Sequence, residues 1–194
     1  MRWHRSRKAS SGMTLLELLL VITLIIVLLS LTVPAFESVG RSWRMAHAAQ
    51  EMADFLEMAR QVALSGNQPV EVRLFRTQRP GDESKVYCAY ALRQFSHGDS
   101  GSETAIAYLP PGLVISDNPG LSPMLEGPSP PEADPRLPGE YRVIRFERDG
   151  SAALANAQSW LTILSVPEKT EPLSGDYRVL KVIPATGRVR LFQP

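Results

Sequence analysis

The sequence is poor in the residues that build metal centres and disulfides. Its 194 residues include one cysteine, Cys88, and three histidines. A lone cysteine forms no intramolecular disulfide and no thiolate cluster for zinc or iron–sulfur, so we expect Cys88 to be a small core residue. The histidines lie far apart, and no spacing of Ser, Asp, Glu or His indicates a nucleophile, a base and an oxyanion-stabilising group. We therefore expect no metal, no cofactor and no enzymatic activity.

Two adjacent N-terminal stretches also lack charge. The first lacks acidic residues, and the second lacks nearly all charged residues. Residues 1–12 contain four basic residues and no acidic one, whereas residues 13–36 contain one charged side chain, Glu17. A helix of roughly 20 apolar residues, rising about 1.5 Å per residue, crosses the hydrocarbon core of a bilayer. Basic flanks stay in the cytoplasm. The pattern therefore predicts a transmembrane helix with the rest of the chain on the far side of the membrane.

Three interpretations of this N-terminus are open: an ordinary secretory signal, a plain membrane anchor, and a precursor that is cut before the apolar stretch. An ordinary signal has an apolar core of about 7–15 residues and a small-x-small cleavage site after it, which Val33-Pro34-Ala35 matches weakly. Glu17 separates the other two, because an unpaired carboxylate costs about 2.5–3.5 kcal/mol at mid-bilayer and a plain anchor gains nothing from it. An ionisable residue here indicates a functional site with a partner.

The residues around Gly12 resemble the signature of type IV prepilins. In Ser11-Gly12-Met13-Thr14-Leu15-Leu16-Glu17, a basic leader ends in glycine, and a glutamate is the fifth residue after it, at the start of the apolar run. Met13 stands where phenylalanine is usual in that family. The resemblance implies that a prepilin peptidase cuts between Gly12 and Met13, and that the new amino group of Met13 is methylated. It also implies that Glu17 meets the amino terminus of a neighbouring subunit during assembly.

Downstream, the pattern predicts a helix followed by strands. Apolar residues recur every three or four positions from Val39 through Trp43 to Ala63, and Gly66-Asn67 supplies a stop, so we expect one helix over 13–64. Period-two alternation then predicts antiparallel strands, with tight turns at the Asp-Gly pair 149–150 and the Thr-Gly pair 186–187. The expected strands are 70–75, parts of 87–95, 141–146, 160–166, 177–183 and 187–192. The predicted fold class is α+β and pilin-like, a long N-terminal helix (first half transmembrane) packed on an antiparallel β head domain.

The predicted organisation has four parts. They are a leader peptide at 1–12, a transmembrane and filament-core helix at 13–36, an amphipathic continuation at 37–66 and a periplasmic β-rich head at 67–194. Within the head, residues 109–139 are dense in proline and glycine. Such a segment does not suit a regular helix or a central strand, and we expect a variable surface loop there.

The head resembles the H-type minor pseudopilin of type II secretion, also called the GspH/FimT type. Four segments carry this resemblance: 56–63, 67–70, 144–151 and 186–190. It implies a minor pseudopilin, a single-pass protein of the inner membrane with its C-terminal domain in the periplasm, that helps start or cap a periplasmic pseudopilus for protein secretion. The implied partners are other pseudopilins, the prepilin peptidase and methyltransferase, the inner-membrane secretion platform and membrane lipid.

Two other functions stay open. Some FimT-type pilins are implicated in DNA uptake, and Gly187-Arg188-Val189-Arg190 is similar to the terminal Gly-Arg-x-Arg element that contributes to DNA binding there. Arg188 and Arg190 alternate with Val189, so both can face successive phosphates. The formal charge of +1 argues against a nucleic-acid partner. The third possibility is an anchored periplasmic protein without a filament role, and Glu17 discriminates, since only a filament gives its carboxylate a recurring partner.

Overall fold

The computed structural model describes residues 13–79, 84–95, 101–126, 130, 134–137, 139–154, 158–165 and 176–193, with the backbone alone for 31–39. The predicted leader 1–12, including Gly12, therefore lies outside the described residues. The chain divides into two compact units, Met1–Arg41 and Ser42–Pro194.

One helix, α1, extends from Leu15 to Gly66. Its end is set by Asn67, which has a positive φ of 48°. The amides of Gln68 and Asn67 donate to the carbonyls of Ala63 and Leu64 at 3.3 and 3.4 Å. These two bonds form a Schellman motif, in which the residue after the helix takes the left-handed conformation. The predicted Gly66-Asn67 stop is thus confirmed, and the left-handed residue is the asparagine.

In the unit from Ser42 onward, α1 packs on the sheet through a face of small and apolar side chains. Trp43, which the sequence placed on this face, is 74% exposed. The prediction was wrong there because residues three or four positions apart share one face of a helix. Met45 lies three residues before Ala48 and four before Ala49, so Met45, and not Trp43, belongs to the buried face. The buried helix residues are Met45, Ala48, Ala49, Met52, Ala53, Leu56, Ala59 and Ala63.

The described residues form ten strands in one sheet, and every described pair is antiparallel. The order is β10-β9-β8-β5-β2-β1-β6-β7, with β3 and β4 also paired to β2. This confirms an α+β protein with an N-terminal helix and an antiparallel sheet. The strands are β1 Val70–Gln78, β2 Lys85–Gln94, β3 Ser102–Glu103, β4 Ala107–Tyr108, β5 Leu113–Ile115, β6 Glu140–Phe146, β7 Ala152–Ala153, β8 Trp160–Ser165, β9 Arg178–Val182 and β10 Val189–Phe192.

The described part of segment 109–139 contains a central strand and a short helix, which its composition did not predict. β5 lies inside this segment, pairs with both β2 and β8 and is buried at all three positions. A short 3-10 helix, Pro123–Leu125, is also buried. Proline is excluded from a central strand because it removes a ladder donor, but Pro111 precedes β5 and Pro119 follows it. Three apolar residues between prolines are enough for a short strand, and period-two alternation is not readable over that length.

The face of the sheet opposite α1 carries a buried ion pair between distant parts of the chain. Arg73 of β1 is 5% exposed and Asp134 is 1% exposed, and Arg73 Nη1 donates to Asp134 Oδ2 at 2.9 Å. Arg136 Nη2 donates to the same oxygen, also at 2.9 Å. Burial alone raises the pKa of Asp134, but the hydrogen bonds from Arg136 and Arg73 outweigh it and hold that pKa well below its usual range. The pair fixes the end of segment 109–139 on the sheet.

Candidate functional sites

The N-terminal part of α1 exposes an unusual amount of apolar surface. Fourteen large hydrophobic side chains between residues 13 and 29 are 37–83% exposed. Soluble monomers rarely leave contiguous apolar patches larger than a few hundred Å² uncovered, and larger ones mark contacts with proteins or membranes. We call residues 13–30 the assembly segment. Its exposed hydrophobic residues are Met13, Leu15, Leu16, Leu18, Leu19, Leu20, Val21, Ile22, Leu24, Ile25, Ile26, Val27, Leu28 and Leu29.

Among the residues that the structure describes, no helix has the length and apolar character needed to cross a membrane.

The hydroxyl groups within the assembly segment are satisfied by the helix itself. Thr23 Oγ1 donates to the Leu20 carbonyl at 2.8 Å, and Ser30 Oγ donates to the Val27 carbonyl at 2.7 Å. These local bonds remove the cost of placing a hydroxyl in apolar surroundings. The carboxylate of Glu17 has no hydrogen-bond or ion-pair partner among the described residues. Glu17 is therefore the one side chain of helix residues 15–30 that needs a polar partner from outside.

The helix begins close to the predicted cleavage bond. Thr14 is the N-cap, since its Oγ1 accepts the Glu17 amide at 3.2 Å and its carbonyl accepts the Leu18 amide at 3.1 Å. Thr14 and Glu17 have the spacing of a capping box, in which the glutamate would bond back to the N-cap amide. That return bond is absent between these two described residues, so the cap does not use the carboxylate. Met13 precedes the cap and is 59% exposed.

The predicted cations Arg188 and Arg190 belong to a hairpin formed by β9 and β10. The turn is closed by amides of Thr186 and Gly187, which donate to the Ile183 carbonyl at 3.2 and 2.7 Å. Gly187 has a φ of +62°, so the predicted Thr-Gly turn is confirmed. We call Lys181, Arg188 and Arg190 the cationic hairpin.

The cationic hairpin has a third member, Lys181, which the sequence pattern did not indicate. Lys181 of β9 is the direct cross-strand partner of Arg190 in β10, and Lys181, Arg188 and Arg190 are all exposed. Side chains directly opposite in an antiparallel pair lie close together, so two like charges there repel and destabilise the pair. Counting back from the Thr-Gly turn would have identified Lys181. The arrangement is a local concentration of positive charge that an anionic group would stabilise.

Gly187 has a structural role that is separate from these cations. A Cβ on Gly187 would lie 2.1 Å from the Gly150 carbonyl oxygen and 3.0 Å from Cδ of Arg60. The two turns of the head therefore meet backbone to backbone beside the end of α1. A further bond, from the Ala152 amide to the Pro184 carbonyl at 2.8 Å, joins the same two hairpins. The glycine of the Gly-Arg-x-Arg element is thus required by packing.

A cavity of about 280 Å³ lies beside β1, β2 and β6. Its arginines are already paired: Arg142 Nη2 is 2.6 Å from Glu140, and Arg76 is 3.5 Å from Glu140 and 3.3 Å from Asp117. The charges of this cavity therefore stabilise one another. They do not converge on a free position as the groups of a catalytic or ligand-binding site do.

Comparison with known structures gives neighbours of two kinds, a minor pseudopilin of type 2 secretion and a type IV minor pilin. No protein-family model and no curated protein matches the chain. Two structures of the minor pseudopilin EpsH from the type 2 secretion system of Vibrio cholerae have TM-scores of 0.49 and 0.47, at 15% and 16% identity. They cover 78% of this chain, which covers 98% and 94% of theirs. The type IV minor pilin FimU of Pseudomonas aeruginosa PAO1 has a TM-score of 0.46 at 14% identity, covering 76% of this chain and 87% of its own. At these values the functional argument depends on this chain's own residues.

Proposed function

We propose that this protein is a subunit of a type IV pilin-like filament, specifically a minor pseudopilin that helps to start or cap a pseudopilus for type II secretion. The observation that carries the proposal is the assembly segment, an exposed apolar helix whose single unpartnered polar side chain is Glu17. Packing against other pilin-like helices would cover the apolar surface. A neighbour's amino terminus would supply the missing partner of the carboxylate.

The proposed pairing follows from the position of the two groups. After cleavage at Gly12, the amino group of Met13 lies one residue before the N-cap, and the carboxylate of Glu17 lies in the first turn of the same apolar helix. A charged amine and a carboxylate in apolar surroundings are each costly alone, and become tolerable as a hydrogen-bonded pair. A pair formed between adjacent subunits would also fix their axial register. The protein itself performs no chemistry in this proposal and is the substrate of the peptidase and methyltransferase.

Before assembly, the same segment would be held in the inner membrane as a single pass with the head in the periplasm. The basic residues of 1–12 and the single charge in 13–36 support this placement. Membrane lipid and the inner-membrane secretion platform are then the first partners of the subunit, and other pseudopilins replace the lipid during assembly. The apolar surface stays covered in both states.

Processing gives the first test of the proposal. We expect the mature protein to begin at Met13 with a methylated amino group, because the leader ends one residue before Met13 and the helix cap is Thr14. Intact-mass and N-terminal analysis of the protein from cells with a prepilin peptidase would show this. Gly12→Leu should leave the leader attached in nearly all molecules while membrane insertion persists. A mature N-terminus near Ala35 would instead identify an ordinary secretory signal.

The Glu17 carboxylate gives the second test. Glu17→Ala should preserve insertion but reduce incorporation into filaments by at least about tenfold, since removing one partner of a buried pair costs about 3–5 kcal/mol. Crosslinking between cysteines placed at positions 13 and 17 of neighbouring subunits measures the same contact. Asp54→Ala is the matched control, because Asp54 is an exposed carboxylate on the same helix. Normal assembly of Glu17→Ala would remove the main support for the filament.

A second candidate function is that of a FimT-like minor pilin that binds DNA through Arg188 and Arg190. The cross-strand pair of Lys181 and Arg190 favours it, because this local positive charge lacks a described anionic partner. The overall charge opposes it. Removal of 1–12 takes away four of the 21 basic residues and leaves 17 against 20 acidic ones, a net charge of −3. A polyanion would be repelled by that balance at a distance, so we rank this function second.

A further inference from the structure

Strand β10 lies at an edge of the sheet. It pairs with β9 on one side, and no other described strand pairs with it. The opposite edge is β7, which has only two residues. An edge strand presents unpaired amide and carbonyl groups, which form a template for another strand unless the edge is short, covered or interrupted by proline. Residues 189–192 contain no proline.

The register shows which backbone groups face the open side. The Ile183 amide donates to the Arg188 carbonyl at 2.9 Å, so the backbone of Arg188 faces β9. Hydrogen-bonded and non-hydrogen-bonded residues alternate along an antiparallel pair. Arg190 and Phe192 therefore also direct their amide and carbonyl groups to β9. The backbone groups of Val189 and Leu191 point to the open edge.

The side chains of this edge select its partner. Leu191 and Phe192 are 36% and 48% exposed, which provides apolar contact area beside the free backbone groups. Arg188 and Arg190, with Lys181 across the ladder, make the face that carries Phe192 positive, whereas Leu191 points to the opposite face of the strand. A second copy of β10 would bring arginines against arginines, and like charges on paired strands repel. A strand with acidic residues at alternate positions would place carboxylates against Arg188 and Arg190.

We propose that β10 accepts an added strand from another polypeptide, an extended segment that carries acidic residues at alternate positions. Backbone hydrogen bonds at Val189 and Leu191 provide the pairing, and the cationic hairpin provides the selectivity, as in other cases of β-strand addition. This surface is independent of the assembly segment. A charged edge whose only role is to prevent aggregation would not need the exposed side chains of Leu191 and Phe192. A surface that only binds phosphate would not need the open backbone groups of Val189 and Leu191.

The experiment uses the full-length protein in detergent micelles and a fluorescent peptide of about eight residues in which glutamate and valine alternate. We expect binding by fluorescence anisotropy that weakens as salt is added. Amide hydrogen exchange should slow at positions 189 and 191 on binding and stay unchanged at 190. A peptide in which lysine and valine alternate should not bind.

Variants separate backbone pairing from charge. Leu191→Pro removes an outward amide at an edge position that tolerates proline, and should weaken peptide binding at least tenfold. Leu191→Thr keeps the amide, and should weaken peptide binding less than threefold. Replacing both Arg188 and Arg190 by glutamate should abolish binding. Lys85→Glu is the matched charge control, since Lys85 is exposed on β2, and should have no effect.

Three results would overturn the proposal. They are failure of the acidic peptide to bind, binding that is unchanged by Leu191→Pro, and peptide binding without protection of the amides at 189 and 191. A duplex oligonucleotide that binds in place of the peptide, with salt-dependent affinity lost in the double arginine variant, would assign the edge to nucleic acid instead. Glu17→Ala should bind the peptide normally, so failure here is distinguishable from failure of the filament proposal.

Discussion

Gly187→Ala should destabilise the head by at least about 3 kcal/mol. An L-residue in the left-handed conformation costs roughly 1–2 kcal/mol, and Gly187 has a φ of +62°. The new methyl group would also lie 2.1 Å from the Gly150 carbonyl oxygen, closer than real Cβ contacts occur, so the two turns would have to separate. The measurement is the free energy of unfolding of the detergent-solubilised chain, with near-ultraviolet circular dichroism as the signal that reports unfolding.

The chain offers a matched control for this substitution. Gly112 has a φ of +83°, and a Cβ there would meet nothing within 4 Å. Gly112→Ala therefore carries the backbone cost without the clash, and should lose only about 1 kcal/mol, partly offset by the lower entropy of the unfolded chain. Equal losses for the two variants would show that the contact between the turns is not tight. The glycine of the Gly-Arg-x-Arg element would then have no packing role.

Asp134→Ala should cost about 3 kcal/mol of stability. The substitution leaves the Arg73 guanidinium buried without its 2.9 Å partner, and breaking a buried pair from one side costs about 3–5 kcal/mol. Glu103, 3.4 Å from Arg73, offsets part of this loss. Asp117→Ala is the control in the same segment, because the Asp117 side chain is 58% exposed and its pair with Arg76 is on the surface. Such pairs contribute about 0–1 kcal/mol.

The same carboxyl group should make the stability depend on pH in acid. The pKa of Asp134 is depressed in the folded protein, so the unfolded chain binds this proton first as the pH falls. The stabilisation is complete above the unfolded pKa of about 3.9 and is lost progressively below it. Unfolding free energies measured from pH 5 downward should fall more steeply for the parent than for Asp134→Ala. Parallel curves would mean that Asp134 is not paired in solution.

Several parts of the fold were readable from the sequence because each depends on a local regularity. The apolar run with its single charge predicted the start of α1, and the Gly66-Asn67 pair predicted its end. Period-two alternation predicted six of the ten strands that the structure describes. The Asp149-Gly150 and Thr186-Gly187 turns have the positive φ at glycine that their composition predicts. Patterns of this kind are fixed by neighbours in the chain, so no knowledge of distant contacts is needed.

Other features were not readable because they depend on residues that are distant in sequence. β5 was missed since three residues carry no period, and its position between β2 and β8 is decided by pairing. The partner of Arg73 lies 61 residues away. Lys181 becomes a neighbour of Arg190 only through the register of the hairpin. Each of these contacts competes with alternative contacts, and which one forms depends on the packing and pairing of the whole sheet.

The sequence by itself determined that the protein has an N-terminal helix whose apolar first part carries one carboxylate, followed by an α+β head. Helix and strand periodicity and the exclusion of charge from apolar surroundings act over short stretches of chain. The tertiary structure decided which charges are buried as pairs, which glycine lies against the backbone of another turn and which strand forms the open edge. These properties follow from close approach between segments. Packing and desolvation set their energies, and neither can be assigned until the partners are in contact.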